Sequence, residues 1–507
     1  MCGWNDPDGV SVGPGMRRFS TVAVVLLAGL LLTACRTSAG APTTPPATTP
    51  PTTTPPATGP TVTTPPAPFS TPRSEIEATI AEIGPIVTLS QAAELVAAVG
   101  AGSEPDLIPY LYDTARLSDS ETFLAAMASI GRIIDATPPA EDFRSQSLFF
   151  GNWIMNNVPD PGPDYIAWKA TLFANIDTDF EPLIASVQDP VTATRLQWGG
   201  VLRGGIPELN DAETITVAEA DYMVADEVVF GAVVNGQARA YPVRILGHHE
   251  LANDTLGGEP VSLVYCTLCR TPVFYSRQVA GRVLDFQTSG LLENSNKVMV
   301  DVQTDSLWNQ LTGEAFAGPL TGTVLERLPM TVTTWEDWTA AHPDTDVQKI
   351  PTLGLDPDSP SFNPTGGYSY QPGDAYADYY AGSELWFPTF EVPDAFAEKD
   401  EVVTLDYAGG RMAVGLDALL EAGGLVATVG DRPVVFVASG NGARVYEATD
   451  GLEVENGEVR FAGEATTVTE EALVLGDGSE LPRLISGQSF WFAWYGNFPD
   501  TAWWPSN

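Results

Sequence analysis

The sequence predicts an α+β protein in which a helical N-terminal region precedes a β-rich, internally duplicated core. Between residues 74 and 197 apolar residues recur at three- and four-residue spacing, as on one face of a helix. From residue 198 onward the apolar runs are short, alternate with polar residues and end at turn residues, which is typical of strands. Within that part, residues 198–350 and 399–507 share a faint common pattern, and this favours two copies of one unit.

The composition excludes some partners. The chain has 507 residues, 44% of them hydrophobic, which is enough for two or three packed domains. Its 65 acidic and 24 basic residues give a net charge of -41. Such a negative field repels nucleic acid and anionic lipid headgroups, so we expect neither to bind the folded part. An acid excess of this kind is typical of a soluble, exported surface.

The first 35 residues predict a signal peptide. A short basic segment at Met16-Arg17-Arg18 precedes an apolar run over residues 22–32 that is too short to span a bilayer comfortably. The run closes with Leu32-Thr33-Ala34-Cys35, which resembles the lipobox of bacterial lipoproteins. The resemblance implies that Cys35 is lipidated and anchors an exported chain to the outer face of the cytoplasmic membrane. The alternative is an ordinary signal peptide whose cysteine has no role.

Residues 36–73 predict a disordered linker. They are almost entirely Thr, Pro, Ala and Ser, a composition that cannot bury a core and favours an extended polyproline II conformation. At about 3 Å per residue the linker would span on the order of 100 Å. We expect it to act as a spacer between the membrane and the folded part.

The helical region, residues 74–197, suggests a small bundle. Helices are predicted over residues 74–83, 90–99 and 120–134, and each begins at a serine suited to an N-cap. Further amphipathic segments cover residues 149–155 and 165–174. No reactive residue stands out here. One hypothesis therefore makes this region a non-enzymatic interaction module.

The strand-rich core begins with a predicted hairpin. Residues 227–234 and 237–243 flank Asn235-Gly236, a favourable two-residue turn. Residues 261–266 and 271–276 predict a second strand pair, joined by a cysteine-containing segment. Further strands are predicted over residues 281–286, 297–302 and 324–332, and Thr334 begins a short helix.

The proposed duplication rests on short matches between the two halves of the core. Residues 226–229 resemble 400–403, residues 258–261 resemble 431–434, and residues 343–345 resemble 499–501. Residues 351–398 would then connect the first copy, 198–350, to the second, 399–507. In the second copy the cysteine positions fall at about Ser439 and Gly442. Any cysteine chemistry is therefore expected in the first copy alone.

The motif Cys266-Thr267-Leu268-Cys269, preceded by His248, His249 and Glu250, leaves three interpretations open. The first is a reactive thiol–disulfide pair, because two intervening residues bring the sulfurs within bonding distance. The second is a zinc or copper site formed by Cys266, Cys269, His249 and His248. The third is a structural disulfide, which an exported protein can retain. Haem attachment is disfavoured because Arg270, not histidine, follows the second cysteine.

A family resemblance covers about residues 198–507. The matching residues are Trp198-Gly199-Gly200-Val201, Arg239-Ala240-Tyr241-Pro242, His249-Glu250 with Asn253-Asp254, Tyr265 to Cys269, Ser295-Asn296-Lys297, Ser306 to Gln310 and Phe490 to Trp494. Together they resemble the bacterial domain-of-unknown-function family 3179. Some members are counted as candidate selenoproteins, which implies redox chemistry at the cysteine pair. This chain departs from the family pattern at Arg270, where glycine is usual, and at Val300 and Val302, which flank Asp301 in place of tyrosine and arginine.

The resemblance also implies a set of functional residues. They are the catalytic set Cys266, Cys269, His249 and Glu250, and the pocket residues Asn253, Asn296, Asp301 and Trp308. The leading hypothesis is thiol-based redox chemistry at the two cysteines, assisted by His249 and Glu250, with an extracytoplasmic protein as redox partner. Metal binding and a structural role remain the alternatives. The sequence names no substrate.

Overall fold

The computed structural model describes residues 73–83, 88–157, 160–351, 368 and 370–505, all within the compact unit Pro66–Asn507. The predicted signal peptide with Cys35, and the predicted linker up to residue 72, lie outside the described residues. The predicted connection, residues 351–398, is described in part. Helices come first and strands follow, so the α+β class is confirmed.

Eight helices form the N-terminal part. They are α1 Arg73–Ile83, α2 Leu89–Gly100, α3 Ile108–Arg116, α4 Ser120–Ile134, α5 Phe143–Asn157, α6 Asp164–Phe173, α7 Phe180–Ala185 and α8 Pro190–Arg195. The predicted serine caps are wrong by one or two residues. The Thr88 hydroxyl caps α2 and the Asp119 carboxylate caps α4, each by accepting a backbone N–H of the first turn.

The helices share their core with a sheet. Buried helix residues such as Leu111, Phe150 and Phe180 belong to one apolar cluster with Leu291 and Val300 of the strand-rich part. Because these side chains exclude water only together, the helical region and the sheet stabilise each other. The helical region is thus an integral part of the unit rather than a separately displayed module.

The first half of the strand-rich part contains sixteen strands and two short helices among the described residues. The strands are β1 Gln197–Trp198, β2 Leu209–Asn210, β3 Thr214–Thr216, β4 Val228–Val234, β5 Gln237–Pro242, β6 Leu251–Leu256, β7 Glu259–Cys266, β8 Thr271–Ser276, β9 Gln278–Val279, β10 Arg282–Val283, β11 Phe286–Glu293, β12 Asn296–Asp301, β13 Leu307–Asn309, β14 Ala315–Ala317, β15 Thr331–Thr334 and β16 Asp346–Gln348. The helices are α9 Val243–His249 and α10 Trp335–Ala341. The larger sheets have the orders β1-β11-β12-β13-β14, β15-β4-β5-β16-β3 and β2-β6-β7-β8, while β9 and β10 pair alone.

The predicted hairpin at Asn235-Gly236 is confirmed, and both turn residues adopt the positive φ that this turn requires. Two predicted strands are wrong in extent. Residues 281–286 supply only β10 and the first residue of β11, and of residues 324–332 only the last two join β15. Pro329 lacks the N–H that a continuous ladder through this segment would need.

The second half follows the short helix α11 Ala377–Ala381. Its elements are β17 Glu401–Tyr407, β18 Gly410–Gly415, α12 Leu416–Ala422, β19 Gly424–Val429, β20 Arg432–Ser439, β21 Gly442–Glu447, β22 Leu452–Glu455, β23 Glu458–Phe461, β24 Glu464–Ala465, β25 Thr467–Val468, β26 Ala472–Val474, β27 Glu480–Leu484, β28 Ser486–Phe490, α13 Trp491–Asn497 and β29 Ala502–Trp504. The sheets have the orders β28-β17-β18-β29, β19-β20-β21-β27-β26-β25 and β22-β23-β24.

The halves meet through their sheets. Strand β28 of the second half lies beside β8 of the first, and β15 of the first lies beside β21 of the second. The turn between β7 and β8 is therefore bordered by residues from both halves. No helix among the described residues is long and apolar enough to cross a bilayer.

Candidate active site

The two cysteines lie in the turn that joins β7 to β8. Cys266 is the last residue of β7 and pairs with Thr271 at the start of β8. Thr267, Leu268 and Cys269 form one 3₁₀ turn, and Arg270 closes it with a left-handed backbone, φ 49°. The predicted strand-turn-strand setting is confirmed. Both cysteines are free thiols and are almost completely buried.

The two thiols have unequal surroundings. Burial raises the pKa of the Cys266 thiol, but a hydrogen bond from Cys269 and another from the Lys297 backbone N–H outweigh it, so the pKa is lowered. Burial and the same Cys266–Cys269 interaction raise the pKa of Cys269 well above its ordinary value. Cys269 Sγ also lies 3.3 Å from the Ser295 carbonyl oxygen and 3.3 Å from Asn296 Nδ2. The pair therefore releases its first proton more readily than its second.

A buried ion pair lies against the turn. Glu250 follows α9 in a left-handed conformation, φ 59°. Its backbone N–H donates to the Leu246 carbonyl oxygen and its carbonyl oxygen accepts from the Tyr265 N–H, and these two bonds fix the position of the residue. The carboxylate accepts a hydrogen bond from Thr267 Oγ1 at 2.8 Å and pairs with the Lys297 ammonium. Lys297 Nζ also donates to Thr288 Oγ1 at 2.8 Å. The structure thus brings Glu250 to the cysteine turn, as predicted, together with a lysine that was not predicted.

His249 is held away from the thiols. Its Nδ1 lies 2.7 Å from the Pro207 carbonyl oxygen and its Nε2 lies 2.6 Å from the Tyr370 hydroxyl. A neutral ring that donates from Nδ1 and accepts at Nε2 satisfies both contacts. Burial lowers the pKa of His249 to about 4 and keeps the ring neutral. Neither nitrogen is left to assist a cysteine.

The predicted metal ligand set is not assembled. His249 uses both ring nitrogens elsewhere, and His248 packs its ring against Tyr368. Across the part of the chain that the structure describes, no three His, Cys, Asp or Glu side chains are grouped to hold a metal ion. Cys266, Cys269, His249 and His248 are thus not grouped as a ligand set in this structure, and the zinc or copper site stays a prediction.

Only one of the four predicted pocket residues reaches the thiols. Asn296 contacts Cys269 and also donates to Gln310 Oε1 at 3.1 Å. Asn253 instead links strands through Asn210 Oδ1 and the Phe286 backbone. The other two predicted residues bond each other. The indole N–H of Trp308 donates to Asp301 at 2.9 Å, and the Asp301 carboxylate also accepts from Thr304. Asn253, Asp301 and Trp308 are buried and bond to parts of the sheets other than the cysteine turn.

An aromatic cap covers the cysteines. We define it as Tyr376, Tyr379, Tyr380, Trp386, Phe490 and Phe492, which belong to the apolar cluster that contains Cys266 and Cys269. The Tyr380 hydroxyl donates to the Thr267 carbonyl oxygen at 2.9 Å, which fixes the cap on the turn. The cap combines α11, from the segment between the halves, with residues from the end of β28 and the start of α13.

A cleft of about 500 Å³ lies beside the turn, between the two halves of the strand-rich part. Arg270 lines it, pairs with Glu401 at 2.8 Å and lies over the Tyr380 ring at 5.0 Å. Asp374 and Glu401 also line the cleft, and burial raises the pKa of both carboxyl groups. Arg270 thus lines the cleft and contacts the aromatic cap through Tyr380.

The sequence interpretation did not identify Lys297 or the cap tyrosines as site residues. A signal existed for Lys297, because a lysine beside the apolar run Val298-Met299-Val300 needs a counter-charge if that strand is buried. Tyr376, Tyr379 and Tyr380 have the three- and four-residue spacing of one helix face. Nothing local connected that face to cysteines more than one hundred residues earlier.

Comparison with protein families gives one match. The family model described as "Protein of unknown function (DUF3179)" matches residues 203–501, which is more than half of the chain. The chain belongs to this family. The matched region begins after the helices and contains the cysteine turn, the Glu250–Lys297 pair and the whole aromatic cap. No curated protein and no solved structure is significantly similar to the chain.

Proposed function

We propose that this DUF3179 protein is a thiol-based redox protein that cycles Cys266 and Cys269 between a dithiol and a disulfide. The observation that carries the proposal is the pair of free thiols at the two ends of one 3₁₀ turn, Cys266 and Cys269, which are hydrogen-bonded to each other. Two thiols this close lose their protons in two steps, so one ionises while its neighbour retains its proton, as disulfide formation requires.

The geometry supports separate roles for the two cysteines. Cys266, stabilised as a thiolate by two hydrogen bonds, attacks the oxidant and forms a covalent bond to it. Cys269 then loses its proton and attacks Cys266 Sγ, which releases the reduced oxidant and leaves the disulfide. Two electrons and the two thiol protons leave the protein. Glu250 acts as a positioning residue, because it contacts the turn only through Thr267.

The proposal is tested by a thiol count on the full chain. The Cys266→Ser/Cys269→Ser double variant serves as the baseline, since Cys2 and Cys35 are present in both proteins. We expect mild oxidation to remove two thiols from the wild type and none beyond the baseline from the double variant. Dithiothreitol should restore both thiols while near-UV circular dichroism stays unchanged. A pair that stays reduced under all oxidants, or that unfolds when it is reduced, contradicts the proposal.

We also propose that the core consists of two copies of one unit. Each half has a hairpin, a seven-residue helix and three antiparallel strands, here β4-β5-α9-β6-β7-β8 and β17-β18-α12-β19-β20-β21. Each hairpin is flanked by one antiparallel and one parallel strand. Each half also has a short helix whose tryptophan indole N–H donates to a threonine hydroxyl that follows the helix. Trp338 donates to Thr345 and Trp494 donates to Thr501, both at 2.9 Å.

If the two copies correspond strand by strand, the counterpart of the cysteine turn in the second copy is a shorter loop. Cys266 pairs with Thr271 across four loop residues, whereas Ser439 pairs with Gly442 across Gly440 and Asn441. The second cysteine thus falls within a two-residue extension of the first copy. Replacing residues 267–270 by Gly-Asn should preserve cooperative unfolding and abolish the redox reaction. Loss of the folded state in this variant would argue against the duplication.

We further propose that the chain is exported and anchored to the membrane through lipid on Cys35. The apolar run and Leu32-Thr33-Ala34-Cys35 support this assignment. The Cys35→Ser variant should move from the membrane fraction to the soluble fraction and lose radiolabelled fatty acid. Equal membrane association of both proteins would contradict the anchor.

A further inference from the structure

We propose that the oxidant for the cysteine pair is a small hydroperoxide of the size of hydrogen peroxide, rather than a protein disulfide. This inference rests on the redox function proposed above and specifies its substrate class. Three features of the described residues carry it: the enclosure of the thiols, a set of buried polar atoms without partners, and the position of the second thiol.

Enclosure limits the size of the oxidant. Cys266 is 1% exposed and Cys269 is 0% exposed, and the aromatic cap packs over both. A disulfide substrate must place two sulfurs and the chain that carries them in line with the attacking thiolate. A protein segment could do so only after the cap residues had moved aside, as they must also do when an external dithiol reduces the disulfide. Hydrogen peroxide is only slightly larger than water and needs a far smaller opening.

Three residues beside the thiols each carry a buried polar atom without a partner. Ser295 Oγ, Asn296 Oδ1 and the Tyr379 hydroxyl are buried without a hydrogen-bond partner among the described residues. These side chains are at most 4% exposed. The first two belong to residues that contact Cys269, and the nearby cysteines contribute to the raised pKa of Tyr379.

Buried polar groups without partners cost folding free energy, so three such groups on residues beside one reactive pair favour a small polar ligand. The chemistry of the three atoms suits a hydroperoxide. Asn296 Oδ1 can accept its O–H, while the hydroxyls of Ser295 and Tyr379 can donate to its oxygens. Donors aimed at the departing oxygen stabilise the negative charge that develops there as the O–O bond breaks.

The reaction balances with the groups present. The Cys266 thiolate attacks one peroxide oxygen, the O–O bond breaks, and the departing hydroxide takes up the proton that Cys266 had released, giving water. Cys266 is left as a sulfenic acid. The Cys269 sulfur then attacks Cys266 Sγ, and the displaced hydroxide leaves as water with the Cys269 proton. Two thiols and one hydrogen peroxide thus give one disulfide and two waters, and an external dithiol must restore the pair.

The experiment compares oxidants on the reduced full chain. Hydrogen peroxide, cumene hydroperoxide and oxidised glutathione are each mixed with the protein, and the rate of loss of the two thiols is measured against the double cysteine variant. We expect hydrogen peroxide to react at least 100-fold faster than with free cysteine at the same pH, and faster than both bulkier oxidants. In Cys269→Ser, dimedone should trap the sulfenic acid on Cys266.

Matched tyrosine variants test the role of the unpartnered hydroxyl. Tyr379→Phe should slow the peroxide reaction about tenfold, whereas Tyr446→Phe, which removes a hydroxyl that bonds Thr469 outside the cap, should change it less than threefold. If oxidised glutathione forms the disulfide faster than hydrogen peroxide does, the inference is overturned and the redox function stands. If no oxidant forms the disulfide, the redox function fails as well. Equal rates in wild type and Tyr379→Phe would remove that hydroxyl from the reaction.

Discussion

Removing the ammonium of the buried ion pair should be among the most damaging single changes in the core. Lys297 and Glu250 are 4% and 6% exposed, and Lys297→Met leaves the carboxylate buried without its counter-charge. Breaking such a pair from one side costs about 3–5 kcal/mol. The variant also removes the donor to Thr288 Oγ1. We expect the free energy of unfolding to fall by about 3–5 kcal/mol.

A double-mutant cycle separates the interaction energy of the Glu250–Lys297 pair from the stability lost through altered packing. Glu250→Gln keeps an acceptor for Thr267 but leaves Lys297 unpaired, so it should also destabilise the protein. The double variant, Lys297→Met with Glu250→Gln, buries no charge at this position. Its loss of stability should therefore be smaller than the sum of the two single losses by about 2 kcal/mol or more. Urea unfolding, followed by tryptophan fluorescence, gives the free energy of unfolding of each variant relative to the wild type.

The same variants should change the acidity of Cys266 in opposite directions. The Lys297 charge lowers the pKa of that thiol and the Glu250 charge raises it. Thiolate absorbance near 240 nm, corrected with Cys266→Ser, should give a higher pKa in Lys297→Met and a lower one in Glu250→Gln. Additive destabilisation together with an unchanged thiol pKa would refute the coupling between this pair and the cysteine turn.

Three further predictions concern other parts of the core. His249 takes up a proton near pH 6.5 in the unfolded chain but only near pH 4 in the folded protein, so the free energy of unfolding should fall by up to about 3 kcal/mol as the pH is lowered from 6.5 to 4. In urea unfolding measured over this pH range, His249→Gln should lack this pH dependence. Gly313→Ala should lower the free energy of unfolding by about 2–4 kcal/mol, measured by thermal unfolding, because the φ of Gly313 is 73° and the new methyl would lie 2.9 Å from Tyr275. The control Gly236→Ala has a similar φ, 80°, but open space around the methyl, and should lower it by about 1 kcal/mol. Glu470→Gln should cost about 3–5 kcal/mol, measured the same way, because two buried arginines share that carboxylate.

Local signals explain what the sequence predicts well. The helix at Ser120–Ile134 was predicted with both ends correct because its apolar spacing is regular, although its cap is Asp119 rather than the predicted Ser120. The hairpin at Asn235-Gly236 and the strands on either side of the cysteine turn were also confirmed. These elements are set by residues within a few positions of one another.

The remainder depends on contacts between distant residues. Lys297 lies 47 positions after Glu250, and no pattern in either segment predicts that the two residues form an ion pair. The Tyr370 hydroxyl that binds His249 lies 121 positions away. Pairs of this kind arise only once the sheets have packed. For that reason the cysteines and Glu250 were found from the sequence, while the role of His249 and the composition of the cap were not.

The position of Phe490 and Phe492 also sets an order of events during synthesis. These two rings cover the cysteines, yet they are added more than two hundred residues after Cys269. At about 5–20 residues per second, the ribosome needs roughly 10 to 40 seconds to reach them. During that interval the β7–β8 turn lacks part of its cover, and the nascent thiols are open to any oxidant or thiol in their compartment. The cover over the cysteines is therefore completed late, when α13 packs onto a turn that was synthesised long before.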